Sequence, residues 1–245
     1  MKRIFTNDQE SSYINALLYG DPGTGKTYSA STLPGKTVII SAEAGLKTLR
    51  GYEIEVWEIE SWEDFEEAIA YLKKEKEKLG FDNVFVDSLT EMSKICADHI
   101  LQERVAIYQA RKQNTKTMFH DQRTLEDYGL AKGRMDRVCR AFRDLPYNIF
   151  FSALCNSQKD ELRGGVKCMP LIQPASMAQD LPGIFDHVIL SKTDIDDDGD
   201  QVFWWETANS ERIMAKDRSG NLPAKMRPDW KMVFEAYQDQ EKKES

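Results

Sequence analysis

Gly20-Asp21-Pro22-Gly23-Thr24-Gly25-Lys26-Thr27 spells G-x-x-x-x-G-K-[ST], and residues 13–19 before it read as a buried strand. From Thr27 to Leu33 the chain can open a helix. Glycines without a Cβ let successive backbone N–H groups curl around a polyphosphate, and a helix start adds further donors. In that arrangement Lys26 reaches the β- and γ-phosphates, and the Thr27 hydroxyl holds Mg²⁺. Gly20, Asp21, Pro22, Gly23, Thr24, Gly25, Lys26, Thr27 and the adjoining Tyr28 are the candidate nucleotide contacts. The motif decides the broad class: this is a chain that binds a nucleoside triphosphate.

The chain has 245 residues, enough for one α/β domain spanning 1–245 with a sizeable core. Its short N-terminus (about 1–10) and polar tail (about 238–245) are expected to lie outside that core. No apolar run approaches a membrane span, and residues 1–8 lack the apolar stretch of a signal peptide. The expectation is a cytoplasmic protein with no membrane partner. Cys96, Cys139, Cys155 and Cys168 show no metal-ligand spacing, so reduced thiols are the simplest account. A net charge of −8 argues against a surface that is wholly a nucleic-acid platform, and leaves room for a local basic patch.

Strands are expected at 36–41, 54–59, 83–88 and 148–154. Helices are expected after Ser61, which Asp64 can box as a cap, and at about 90–111 and 128–145. Residues 155–183 read as irregular. Beyond them, 187–192 and 201–207 read as a hairpin across the acidic turn 196–200, with another strand at 211–216. Strands alternating with helices, followed by a hairpin, give an α/β fold. It is a mostly parallel sheet with helices on both faces and a C-terminal antiparallel extension.

Asp87 ends a buried strand, the placement of an acid that holds Mg²⁺ beside a phosphate loop. Many ATPases place a catalytic glutamate directly after that acid, and here the position is Ser88. Glu43 is the candidate instead. It follows the strand 36–41, read as a neighbour of the loop strand, on the rim where α/β sheets bind ligands.

The loop, Ser41-Ala42-Glu43-Ala44 and Asp87-Ser88 resemble the ATPase core of RecA-type recombinases. Asp127-Tyr128-Gly129, the strand 148–154 and Ala215-Lys216-Asp217-Arg218-Ser219-Gly220 are similar to a phage family of RecA-core nucleotide-binding proteins, some of which anneal single-stranded DNA. The resemblance covers about 13–223. It implies ATP and Mg²⁺ as ligands, Glu43 as general base, and Lys216 and Arg218 as cations reaching a neighbouring subunit's ATP within a ring or filament. It also implies loops that touch single-stranded DNA. By position these are 111–123, with Arg111, Lys112, Lys116, Phe119 and Arg123, and 158–173, with Lys159, Arg163 and Lys167. Leu154 departs from the pattern where a polar sensor belongs, so that role falls to Ser152, Cys155 or Asn156, or is absent.

The resemblance implies an ATPase acting on single-stranded DNA in phage recombination or annealing, and Glu43 and the basic loops favour that reading. A nucleotide-dependent switch serving a partner is the alternative, favoured by Leu154 and the acidic balance. An AAA-type remodeller fits the wording of the loop, and is weighed down by Ser88 and by the lack of a sizeable C-terminal helical lid. A phosphate-loop kinase would need an arginine-rich lid, and none stands out.

Overall fold

Every residue of β1 (Asn15–Gly20), β2 (Thr37–Ser41) and β4 (Asn83–Asp87) is buried, as in strands covered on both faces. The computed structural model describes residues 13–43, 45–110, 122–159 and 166–244. Its other strands are β3 (Glu55–Glu58), β5 (Asn148–Lys159), β6 (Val166–Pro170), β7 (His187–Ile195), β8 (Gln201–Glu206), β9 (Lys216–Asp217) and β10 (Lys225–Met226). The helices are α1 (Trp62–Lys74), α2 (Lys76–Leu79), α3 (Leu89–Ala110), α4 (Leu125–Arg143), α5 (Leu181–Ile184) and α6 (Trp230–Glu244). The strands form one sheet in the order β10-β8-β7-β1-β5-β4-β2-β3, with β6 on β5 and β9 on β7. From β7 to β3 all neighbours are parallel, and β8, β10, β6 and β9 are antiparallel additions. The expected α/β architecture is present.

Strand alternation splits the core into two layers. Leu17, Tyr19, Val38, Val84 and Phe151 face Phe65, Met92, Met135 and Phe142 of α1, α3 and α4. Ala16, Leu18, Ile39, Phe85 and Phe150 face the other way, onto Trp205, Trp230 and Val233. The second face is thinner, closed by α6 and a 3-10 turn, Tyr28–Thr32. The Trp230 indole donates to Ser29 Oγ at 3.1 Å, and its ring centroid lies 4.6 Å from those of Phe150 and Trp205. Trp230→Ala is therefore expected to cost about 3–5 kcal/mol of stability, seen as a lowered urea midpoint. A midpoint equal to that of the unaltered protein would show that α6 lies outside the cooperative core.

Several local expectations change. The helix expected from Thr27 is only the 3-10 turn: Ser29, Ser31 and Thr32 hydroxyls bond back to the carbonyls of Lys26, Tyr28 and Ser29, and Leu33 before Pro34 is extended. Gly35 follows with positive φ. Helix α4 starts earlier than expected, because Thr124 and Asp127 form a capping box. The stretch read as irregular holds a hairpin, since β5 runs on to Lys159 and pairs with β6. The late strand at 211–216 shrinks to Lys216–Asp217 and a bridge at Ile213. Part of the presumed tail belongs to α6. Among the described residues, no helix is long and apolar enough to cross a membrane.

Candidate nucleotide site

The phosphate loop leaves β1 at Gly20, where the chain runs against β7. A Cβ at Gly20 would meet Ser191 O at 2.4 Å, so only glycine allows that approach. Gly23 and Gly25 take φ of 81° and 80°, the left-handed region that glycine adopts without strain. The Ser191 hydroxyl donates to Thr24 O at 2.7 Å, tying the loop to β7. Lys26 Nζ donates to Gly20 O at 3.0 Å and Asp21 O at 2.8 Å, so the ammonium lies across the loop that would hold phosphate. Burial lowers the Lys26 pKa, while the carboxylates of Asp87, Glu43 and Asp21 act in the opposite sense.

Asp87 is 2% exposed, and a carboxylate that deep must be compensated. Thr27 Oγ1 donates to its Oδ2 at 2.7 Å, and Ser152 Oγ donates to its Oδ1. The two neutral hydroxyls occupy one acceptor site on each oxygen, and the Lys26 ammonium is the nearby charge of opposite sign. A hard-oxygen donor set of threonine hydroxyl and carboxylate fits a divalent cation such as Mg²⁺.

Glu43 lies just past β2, where Ser41 Oγ donates to its backbone carbonyl at 2.7 Å. Ser88 Oγ donates to Glu43 Oε1. The residue standing where a glutamate was sought thus positions the glutamate found elsewhere. The strand carrying Glu43 is not beside the loop strand, as the sequence suggested: β5 and β4 lie between them. Side-chain reach closes the gap. Glu43, Asp87, Ser88 and Ser152 line one cavity of about 680 Å³ with Lys26, Thr27 and Tyr28. That volume lies within the range of small-molecule sites. Residues 22–25 of the loop and Ser29 also line it, together with Gly45, Thr48, Leu154, Phe203 and Pro228, and among these last five only Leu154 carries a signal in the sequence.

A protein-family model described as an AAA domain matches residues 12–219. The chain belongs to that family. No curated protein matches it. An AAA domain is a phosphate-loop ATPase module, which agrees with the loop, the strand-end Asp87 and the parallel sheet. Ser88, the departure that counts against an AAA-type remodeller, bears on how the site is completed and not on membership.

The other expected site residues are placed elsewhere. Lys216 and Asp217 form β9 and Arg218 follows it; β9 pairs with β7 at His187 and Val188, the end of the sheet away from the phosphate loop. Lys216 Nζ donates to Pro182 O at 2.5 Å and Phe185 O at 2.8 Å, and Arg218 pairs with Asp186 at 2.9 Å. Burial raises the Asp217 pKa, but bonds from His187, Ser219 and the Leu222 amide outweigh it and hold the carboxyl far below its usual range. All three side chains have partners within the chain.

Arg123 donates to Gln173 Oε1 at 2.6 Å and pairs with Asp98, so it braces α3 against the segment after β6. Lys167 lies on β6 opposite Gln158, and Lys159 lies opposite Val166, in a paired hairpin where a mobile loop was expected. Arg111, Lys112, Lys116, Phe119 and Arg163 lie outside the described residues.

Proposed function

We propose that this protein is a Mg²⁺-dependent ATPase that works on single-stranded DNA, in recombination or annealing. One observation carries the hydrolytic part: Ser88 holds the Glu43 carboxylate on the wall of the cavity that contains Lys26, Thr27 and Asp87. Lys26 would meet the β- and γ-phosphates, and the loop amides would cradle them. Thr27 and Asp87 would hold Mg²⁺, which when bound offsets phosphate charge. Glu43 would orient a water and take its proton. The partner reading rests on the family resemblance and on the basic residues Arg111, Lys112 and Lys116, followed along the sequence by Phe119, a composition suited to phosphate contact and base stacking. Self-association into a ring or filament belongs to the same reading.

ATP turnover measured with and without a single-stranded oligonucleotide, across protein concentrations, tests it. Stimulation by the oligonucleotide is the expected result. A second reading, a nucleotide-dependent switch with little turnover, draws on Leu154, an apolar residue on the cavity wall, and on Ser152, whose hydroxyl already serves Asp87. Slow turnover that DNA leaves unchanged would favour it.

A DNA-binding variant should leave Arg123 intact, because its loss would also break the brace to Asp98 and Gln173. Lys112→Ala with Lys116→Ala is expected to weaken oligonucleotide binding. It should also flatten the slope of log affinity on log salt by about 1.4, at roughly 0.7 per phosphate contact. An unchanged slope in a salt titration would remove these lysines from the interface.

A further inference from the structure

The cavity has an apolar end, at Phe203 and Pro228, that the phosphate chemistry leaves without a role. Both residues come from the antiparallel extension, one on β8 and the other between β10 and α6. The sheet register fixes where Phe203 lies. Gly20 pairs with Ser191, which opposes Trp205, whereas Phe203 opposes Thr193. Phe203 is thus two residues, roughly 7 Å, beyond the point where the loop leaves the sheet. Alternation puts it on the face of Trp205, the face on which the chain continues from the loop into the turn Tyr28–Thr32. Trp205 is fully buried, but Phe203 is 38% exposed, so the core does not account for its ring. The ring lies over the loop: a Cβ on Gly25 would come within 3.7 Å of Phe203 Cδ1.

We propose that Phe203 and Pro228 form the nucleobase subsite, with the base stacked on the Phe203 ring. The inference rests on the phosphate-loop reading and extends it. Strand order supplies the direction. Asp87 and Glu43 reach the cavity from β4 and β2, on one side of β1, whereas Phe203 reaches it from β8 on the other. A triphosphate whose terminal phosphate points to Glu43 carries its nucleoside end toward Phe203. Neither Phe203 nor Pro228 has a side-chain donor or acceptor, so this wall binds by stacking and treats adenine and guanine alike. Every base has a π-face, which makes such a contact tolerant of base identity.

Calorimetric titration with ATP, GTP and inorganic tripolyphosphate, each with Mg²⁺, tests the subsite on the unaltered protein, Phe203→Ala and Phe203→Trp. Phe203→Ala should weaken ATP and GTP by roughly 5- to 150-fold, the loss of one base–aromatic stack, and leave tripolyphosphate unchanged. Phe203→Trp should restore both nucleotides. Unchanged ATP affinity in a folded Phe203→Ala protein would overturn the subsite. Equal weakening of tripolyphosphate would do the same, by making Phe203 a packing residue for the loop. Unaltered protein that bound neither ATP nor tripolyphosphate would instead overturn the phosphate-loop reading, and this subsite with it.

Discussion

Lys26→Ala is expected to abolish ATP binding at micromolar nucleotide while leaving the protein folded. The bonds of the Lys26 ammonium go to the carbonyls of Gly20 and Asp21 in the loop itself, so truncation removes little that holds the sheet together. For a bound triphosphate the same ammonium would be a charge-assisted donor in a partly buried site. Such bonds contribute about 1.5–3 kcal/mol each, and losing two of them corresponds to roughly 10²–10⁴ in Kd. The surroundings sharpen the effect, because Asp87, Glu43 and Asp21 are the charges acting on Lys26. Without the lysine, a polyanion would approach carboxylates uncompensated on the protein side. Calorimetric titration with ATP, alongside a thermal melt of each protein, gives the answer. A mutant that melts normally and binds ATP as tightly as the unaltered protein would remove the loop from the site.

Periodicity and motif made part of this site legible. The phosphate loop is local chemistry, and β1, β2 and β4 are continuous apolar runs, which is how strands buried on both faces read. Asp87 could be found because it ends such a run, and α1 because Ser61 and Asp64 form its capping box. What stayed hidden depends on strand order or on competition between local bonds. The neighbours of β2 are set by long-range pairing, so Glu43 was assigned beside the loop strand although β5 and β4 intervene. The hydroxyls of Ser29, Ser31 and Thr32 turn back on the chain and shorten a helix that the motif alone leads one to expect. Phe203 read only as one residue of an alternating hairpin. Its place over Gly25 follows from the register between β7 and β8, which no local pattern records. Arg123 looked free to meet phosphate because Asp98 and Gln173 are distant in sequence.

Glu43→Gln is expected to hold ATP with near-normal affinity and to hydrolyse it about 10²–10⁴-fold more slowly, the usual contribution of a general base. The amide matches the carboxylate in size, and its oxygen can still accept from Ser88 Oγ, so the wall of the cavity keeps its shape. What it cannot do is take a proton from water. Asp87 is a poor substitute, since Thr27 and Ser152 donate to its two oxygens and its burial suits a cation ligand. Ser88→Ala separates position from chemistry: it keeps the carboxylate but removes its tether. Its loss in turnover should therefore be smaller than that of Glu43→Gln, with binding again preserved. Single-turnover hydrolysis measured beside equilibrium binding resolves the two effects. If Glu43→Gln turned over at the unaltered rate, the proton acceptor would have to be another group. If Ser88→Ala were as slow as Glu43→Gln, the hydroxyl would be as necessary as the carboxylate, and a tether alone would not account for its role.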